Sequence, residues 1–342
     1  MPSDDPGMPW PGRRAVLTGG LGALAALTLS GCGIRLEDDA PRVPLIPTRS
    51  PVPGESFLVG LRHRCVALAT EAKALGGAPT GLPARLTVLH SRQATILEAE
   101  LERLTVPRSV IEAPPKPTGS STSTTTSTTT ATTSGPSGTS ATAPAPAETH
   151  RGPGGLAASE LADVGATAVA ALARIDADAR PLIGALLAQR LAAATLLGAA
   201  RAVPVPTWKA PSLASAFLDT TRAAIYAMQV VAAQSPTGAQ RILARTTLAT
   251  LVARAQIQEQ LAAESAGPPP LGYPPPFVVT TPTAARRLAV QVLADLRAAN
   301  ARDVGSAGSD PEPLGSAVQW LADTEVLASR WGVALSPFPG LK

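Results

Sequence analysis

The stretch PARLTVLHSRQATILEAELERLTVP, Pro83 to Pro107, decides the fold class. Leu86, Leu89, Gln93, Leu97, Leu101 and Leu104 recur at intervals of three or four, so they line one face of an α-helix. Pro83 suits a first helical turn, where a backbone N–H has no partner anyway, and Pro107 closes the segment. The same period recurs on both sides. Ser56 can cap a helix from Phe57 to about Leu75, with Leu61, Cys65, Leu68, Ala72 and Leu75 on one stripe. Gly76-Gly77 stop that helix. From Leu156, a further stripe holds Leu161, Val164, Ala168, Leu172 and Ile175. Pro181 restarts the pattern with Leu182, Leu186, Gln189, Ala193 and Leu197, up to about Arg201. Four helices of similar length close naturally as a four-helix bundle.

The rest of the chain repeats the pattern. Pro204 to Pro211 is a linker, and Ser212 can cap a helix to about Gln234. A second runs from about Thr237 to Ala263, and the Pro-rich crossover GPPPLGYPPP spans Gly267 to Pro276. The third has Thr281 as cap and Pro282 at its first position, and runs to about Asp303. The fourth runs from Asp310-Pro311 to about Trp331, with Leu314, Val318, Leu321 and Ala328 inward. No segment alternates as a strand does. The expected fold is all-α, with two four-helix bundles joined by Pro-rich linkers.

Between the two hairpins of the first bundle lies a linker over residues 107–153. Its centre, Ser120 to Ser134, is almost only Ser and Thr, so it has little to bury and is expected to be disordered. Such exported tracts resemble O-glycosylated stalks, which makes O-mannosylation one expectation and a bare linker the other.

Composition excludes several function classes. Of 342 residues, 45% are hydrophobic, 3% aromatic and 16% charged, against an average of about 25% charged. Two cysteines cannot build a disulfide framework or a Cys-rich zinc site. A net charge of +4 over this length is no nucleic-acid footprint, which needs clustered basic residues. There is no P-loop, no G-x-S-x-G and no zinc-protease motif.

The N-terminus reads as an export signal over residues 1–31. Arg13-Arg14 form a basic region, and Ala15 to Leu29 is an uncharged run of apolar and small residues. That run is about 15 residues, short of the roughly 20 a membrane-spanning helix needs. Leu29-Ser30-Gly31-Cys32 follows and resembles the lipobox of bacterial lipoproteins. The resemblance implies cleavage before Cys32 and acylation of its thiol with diacylglycerol and chains such as palmitate. Two or more acyl chains give stable anchoring where one does not. Arg13-Arg14-Ala15-Val16-Leu17 resembles the twin-arginine export motif, with Gly12 and Val16 departing from its usual hydroxyl and Phe positions. The general export route is the alternative. Met8 is an alternative start that would remove Asp4 and Asp5. Residues 32–54 form a Pro-rich tether, extended at about 3.1 Å per residue. Cys65 reads as a core thiol; without lipidation of Cys32, a Cys32–Cys65 disulfide is open.

The C-terminal part carries Ala223-Ala224-Ile225-Tyr226-Ala227, Gly272-Tyr273-Pro274, the segment Thr281 to Ala289, Arg330-Trp331-Gly332 and Pro337 to Leu341. On these residues, 208–342 resemble an uncharacterised ferritin-like domain found in actinobacterial exported proteins. The resemblance implies a bundle that, in ferritin-like proteins, holds two metals with Glu side chains and Glu-x-x-His pairs. Here the C-terminal part has no His, and no Glu-x-x-His occurs in the chain. Thr220-Thr221 stand where an acidic residue is expected, and Arg254 and Gln256 where a His-rich stretch would be. The metal centre is therefore expected to be lost.

Other polar groups are candidates of lesser weight. His63, Glu71, His90, Glu98 and Glu160 could converge in the N-terminal bundle as a transition-metal set, with Glu71, His90, Glu98 and Glu160 as the ligands to watch. Asp219, Asp295, Asp323 and Glu325 read as solvated, or paired with Arg222, Arg297 and Arg330. Trp208, Trp320 and Trp331 read as core. The expected protein is anchored by lipid on the outer face of the cell membrane, with a non-catalytic binding or scaffold role and no cofactor. Its expected partners are the membrane, the export and lipoprotein-processing machinery, and an envelope protein or small ligand; nucleic acid is not among them. A divergent metal-dependent redox protein and a carrier of a small apolar ligand are the alternatives.

Overall fold

The computed structural model describes residues 49–114, 152–200 and 204–341. The export signal with Arg13, Arg14, Leu29, Ser30, Gly31 and Cys32, most of the tether, and the Ser/Thr tract with His150 lie outside the described residues. Among the described residues there are ten α-helices, a single 3₁₀ turn and no strand, as the helical periodicity requires. They are α1 Glu55–Ala74, α2 Leu82–Arg103, α3 Arg108–Ile111, α4 Pro153–Leu161, α5 Ala166–Leu172, α6 Arg180–Leu196, α7 Pro211–Gln234, α8 Ala239–Ala262, α9 Pro282–Ser306 and α10 Pro311–Arg330.

Several ends follow the local signals. Gly76 and Gly77 both take positive φ after α1. The Thr281 hydroxyl accepts from the Ala284 N–H, and the Asp310 carboxylate from that of Glu312. Two expected caps are not used. Helix α1 begins at Glu55, ahead of Ser56, because Gly54 turns the chain at φ 73° and the Glu55 carboxylate accepts from the Val52 N–H at 3.1 Å. Helix α7 begins at Pro211 with no side-chain cap, so Ser212 already lies inside it.

The stripe from Leu156 to Ile175 is not one helix. It breaks after Leu161, with Asp163 in the left-handed region at φ 61°, and resumes at Ala166. The buried Arg190 guanidinium accounts for the break by donating to the Ser159 and Ala162 carbonyls at the end of α4. Asp163 turns outward onto Arg64 at 2.7 Å.

Helix α6 organises the packing. Every residue from Ile183 to Ala194 is buried, so the helix is covered on all sides rather than along one stripe. It packs on α4 on one side and on α9 and α10 on the other. One apolar cluster accordingly runs from Leu58, Leu61, Leu97 and Leu101 through Ile183 and Leu186 to Phe217 and Trp320. The two expected bundles thus share their core. A second cluster belongs to the C-terminal helices, centred on Met228, Leu251, Leu288 and Trp331. There α7 pairs with α8 and α9 with α10, two hairpins joined by the Pro-rich crossover. Trp208, Trp320 and Trp331 are core, as expected: the Trp208, Phe217 and Trp320 rings pack edge-on or tilted with centroids within 6.4 Å of one another, and the buried Trp331 donates to Thr247 at 3.0 Å. No single helix among the described residues is long and apolar enough to cross a membrane.

Candidate functional site

Polar side chains collect inside the N-terminal half, and His90 is their centre. It sits on α2, fully buried, beside the Leu86–Gln93–Leu97 stripe. Its Nδ1 lies 2.9 Å from Gln93 Oε1 and its Nε2 lies 2.7 Å from Glu160 Oε1. Gln93 Nε2 donates to Gln189 Oε1 at 2.9 Å and to the Pro337 carbonyl at 2.7 Å. A carbonyl only accepts, so the Gln93 amide orientation is determined and its Oε1 must accept. His90 Nδ1 is therefore the donor, and one proton lies between His90 Nε2 and Glu160. The second Glu160 oxygen faces Arg190 Nε at 3.6 Å. Cys65 is a buried free thiol that reaches Gln93 Oε1 at 3.7 Å. Burial pushes that thiol up to about 12, with Glu160 adding to the rise and Arg190 opposing it, so it stays protonated and unreactive.

Of the four watched metal ligands, the fold brings together only His90 and Glu160. Glu71 lies half-buried on α1, and Glu98 is held by Arg62 at 3.0 Å. His63 lines a cavity between α1 and α5. Among the described residues no group of three His, Cys, Asp or Glu side chains could hold a metal ion. Arg190 beside Glu160 further opposes a bound cation. The set ties helices together: α2, α4, α6 and the C-terminal tail all contribute to it.

The interior of the C-terminal helices has its own polar centre. Arg254 on α8 is buried and donates to Thr324 Oγ1 at 2.9 Å, and Asn300 Nδ2 reaches the same oxygen at 2.9 Å. Burial lowers the Arg254 pKa, with the Asp323 charge opposing. A guanidinium, an amide and a hydroxyl do not fit the di-metal centre of ferritin-like proteins, because the guanidinium repels a metal ion. Gln256 is exposed, and Thr221 is buried but bonds its own helix at Phe217. Glu325 is buried and paired with Arg297 at 2.9 Å, and also accepts from the Ser336 N–H at 2.9 Å. Burial pushes its carboxyl up, and those two partners hold it down.

The accessible site lies on the outer side of the same helices. A groove of about 400 Å³ runs between α7 and α9. Its floor is small and apolar, with Ala223, Ala227, Val230 and Val292. The crossover forms one wall, Tyr273 and Pro274 to Pro276, and Tyr273 packs on Tyr226 with ring centroids 5.7 Å apart. The crossover is tied down at both ends. Arg222 donates to the Gly267 carbonyl at 2.7 Å, and the Arg287 guanidinium lies 3.8 Å from the centre of the Phe277 ring. The cavity between α1 and α5 is larger, about 580 Å³, but its Arg64 and Asp163 already satisfy each other.

The four C-terminal helices and the tail correspond to a known sequence unit. Residues 213–342 match a domain of unknown function, DUF4439. No curated protein and no solved structure matches the chain. The DUF4439 domain starts inside α7 and takes in α8, α9, α10 and the tail. The groove, the Arg254 centre and the Glu325 pair all belong to it. Tyr226, Gly272, Tyr273 and Pro274, met in the sequence as scattered signature residues, converge in the folded domain. So do Arg286 and Trp331, whose carbonyl accepts from the guanidinium at 3.1 Å. Sequence reading missed Gln93, Gln189 and Arg190 as network members. Two of them, Gln93 and Gln189, were visible as polar residues inside apolar stripes.

Proposed function

We propose that this chain is a lipid-anchored binding protein of the cell envelope, without a catalytic role, whose DUF4439 domain holds an apolar ligand between α7 and α9. The groove walled by Tyr226, Tyr273 and Pro274 to Pro276 carries this reading. It is concave, chiefly apolar and furnished with few polar groups, which is the common form of a small-ligand site. Anchoring is supported by Leu29-Ser30-Gly31-Cys32 directly after an apolar run headed by Arg13-Arg14. The same motifs support twin-arginine export, lipoprotein processing and attachment to the outer face of the membrane. A non-catalytic role is supported by Arg254, Asn300 and Thr324, which fill the bundle interior with a resident cation and its acceptor.

Binding is tested with Nile red, a neutral apolar dye, and the full chain. Enhanced emission that Ala227→Trp abolishes supports the groove; no emission change with the parent chain rejects it. Intact mass of the mature protein tests the anchor. A diacylglyceryl adduct on Cys32 supports it, and an unmodified Cys32 rejects it.

A further inference from the structure

The groove is apolar along its floor but carries two opposite charges on one wall. Asp295 and Arg302 both line it, both are exposed, and both belong to α9. Neither side chain makes a hydrogen bond or ion pair with another described residue. They stand seven positions apart, which is two helical turns, so they share a face about 10.5 Å apart along the axis. That spacing separates them too far for a close mutual pair and leaves each available to a ligand.

A ligand that uses both charges needs a cation and an anion about 10 Å apart, with an apolar body between. A lipid chain uses neither charge. A single amino acid is too short. An extended peptide advances about 3.3–3.6 Å per residue, so three residues span the distance between an α-ammonium and an α-carboxylate. The opposite wall suits a peptide as well. Pro274, Pro275 and Pro276 have carbonyl acceptors and no N–H donors, so their backbone complements the N–H groups of an occupant. Tyr226 and Tyr273 offer broad rings to aliphatic side chains.

Resting on the binding reading above, we propose that the groove takes a short peptide of about three residues with free termini and apolar side chains. Its ammonium pairs with Asp295 and its carboxylate with Arg302, the planar guanidinium matching the carboxylate in a two-pronged contact.

The test is calorimetric titration of the full chain with Ala-Leu-Ala, its N-acetyl form and its C-terminal amide, beside Nile red. Free Ala-Leu-Ala should bind and displace the dye, and capping either end should weaken it about fivefold, the upper range for an exposed ion pair. In Asp295→Asn the free and acetylated peptides should bind alike. In Arg302→Gln the acid and the amide should bind alike. Both residues are exposed, so these variants fold. If Nile red binds in the groove but the three peptides do not differ, or do not bind, the peptide proposal is overturned while the groove stands. If neither dye nor peptide binds, both are overturned.

Discussion

The Gln93 side-chain amide donates to the Pro337 carbonyl at 2.7 Å, joining the middle of α2 to the last turn of the chain. The same amide serves His90, Gln189 and Cys65, so one side chain satisfies groups from α1, α2, α6 and the tail. In a buried setting each orphaned polar group carries a desolvation penalty. Gln93→Ala should therefore cost about 3 kcal/mol, more than a single lost hydrogen bond. Urea unfolding followed by circular dichroism measures it; a loss under about 1 kcal/mol would show that the network relaxes around the gap.

At Gly184, α6 lies close against its neighbours. A Cβ there would overlap the Val304 side chain of α9 and press on Val318 of α10. Gly184 has ordinary helical backbone, so alanine would help an isolated helix, yet here overpacking dominates. Gly184→Ala should lower stability by about 1–3 kcal/mol. An increase in stability would contradict the close contact between α6 and the C-terminal helices.

Asp303 is half-buried near the end of α9, and burial raises its carboxyl from 3.8 to about 6, with Arg302 opposing the rise. The folded chain thus keeps this proton to higher pH than the unfolded chain. The folded state binds more protons across that window, so this group's contribution to stability falls as pH rises from 3.8 to about 6. Asp303→Asn should remove that slope and be more stable than the parent at pH 7, while the two differ least near pH 4. Parallel urea titrations across this range provide the comparison, and equal slopes in both proteins would refute the assignment.

The redox alternative makes a separate demand. Arg190 beside Glu160, and Arg254 inside the DUF4439 domain, put guanidinium groups where metal ions would need carboxylates. The purified chain should hold iron, manganese and zinc only at substoichiometric levels in elemental analysis. Stoichiometric metal that disappears in His90→Ala would overturn the non-catalytic reading and establish the His90–Glu160 pair as a metal site.

The helical class and most of the long helices were legible from local signals. The 3–4 spacing in Pro83 to Pro107, Pro at helix starts, Thr281 as a cap, Asp310-Pro311 as a start, and Gly76-Gly77 as a stop all act within a few positions, so they survive any change of partner. Burial of Cys65, Trp208, Trp320 and Trp331 followed from residue type and, for Cys65, from its stripe. The absence of His from the last helices already weighed against the chemistry that a ferritin-like bundle suggests.

Tertiary structure decided which faces meet. Periodicity assigns an apolar face to α6 but does not say that all its faces are covered; that depends on α4, α9 and α10 arriving together. The break between α4 and α5 depends on Arg190, which is 28 residues from the Ala162 carbonyl it satisfies. The groove likewise exists only because Tyr226 on α7 and Tyr273 in the crossover are brought within 5.7 Å. Local backbone preference sets the elements, whereas a buried polar group or a cavity wall needs partners that are distant along the chain, and only the packed fold supplies them.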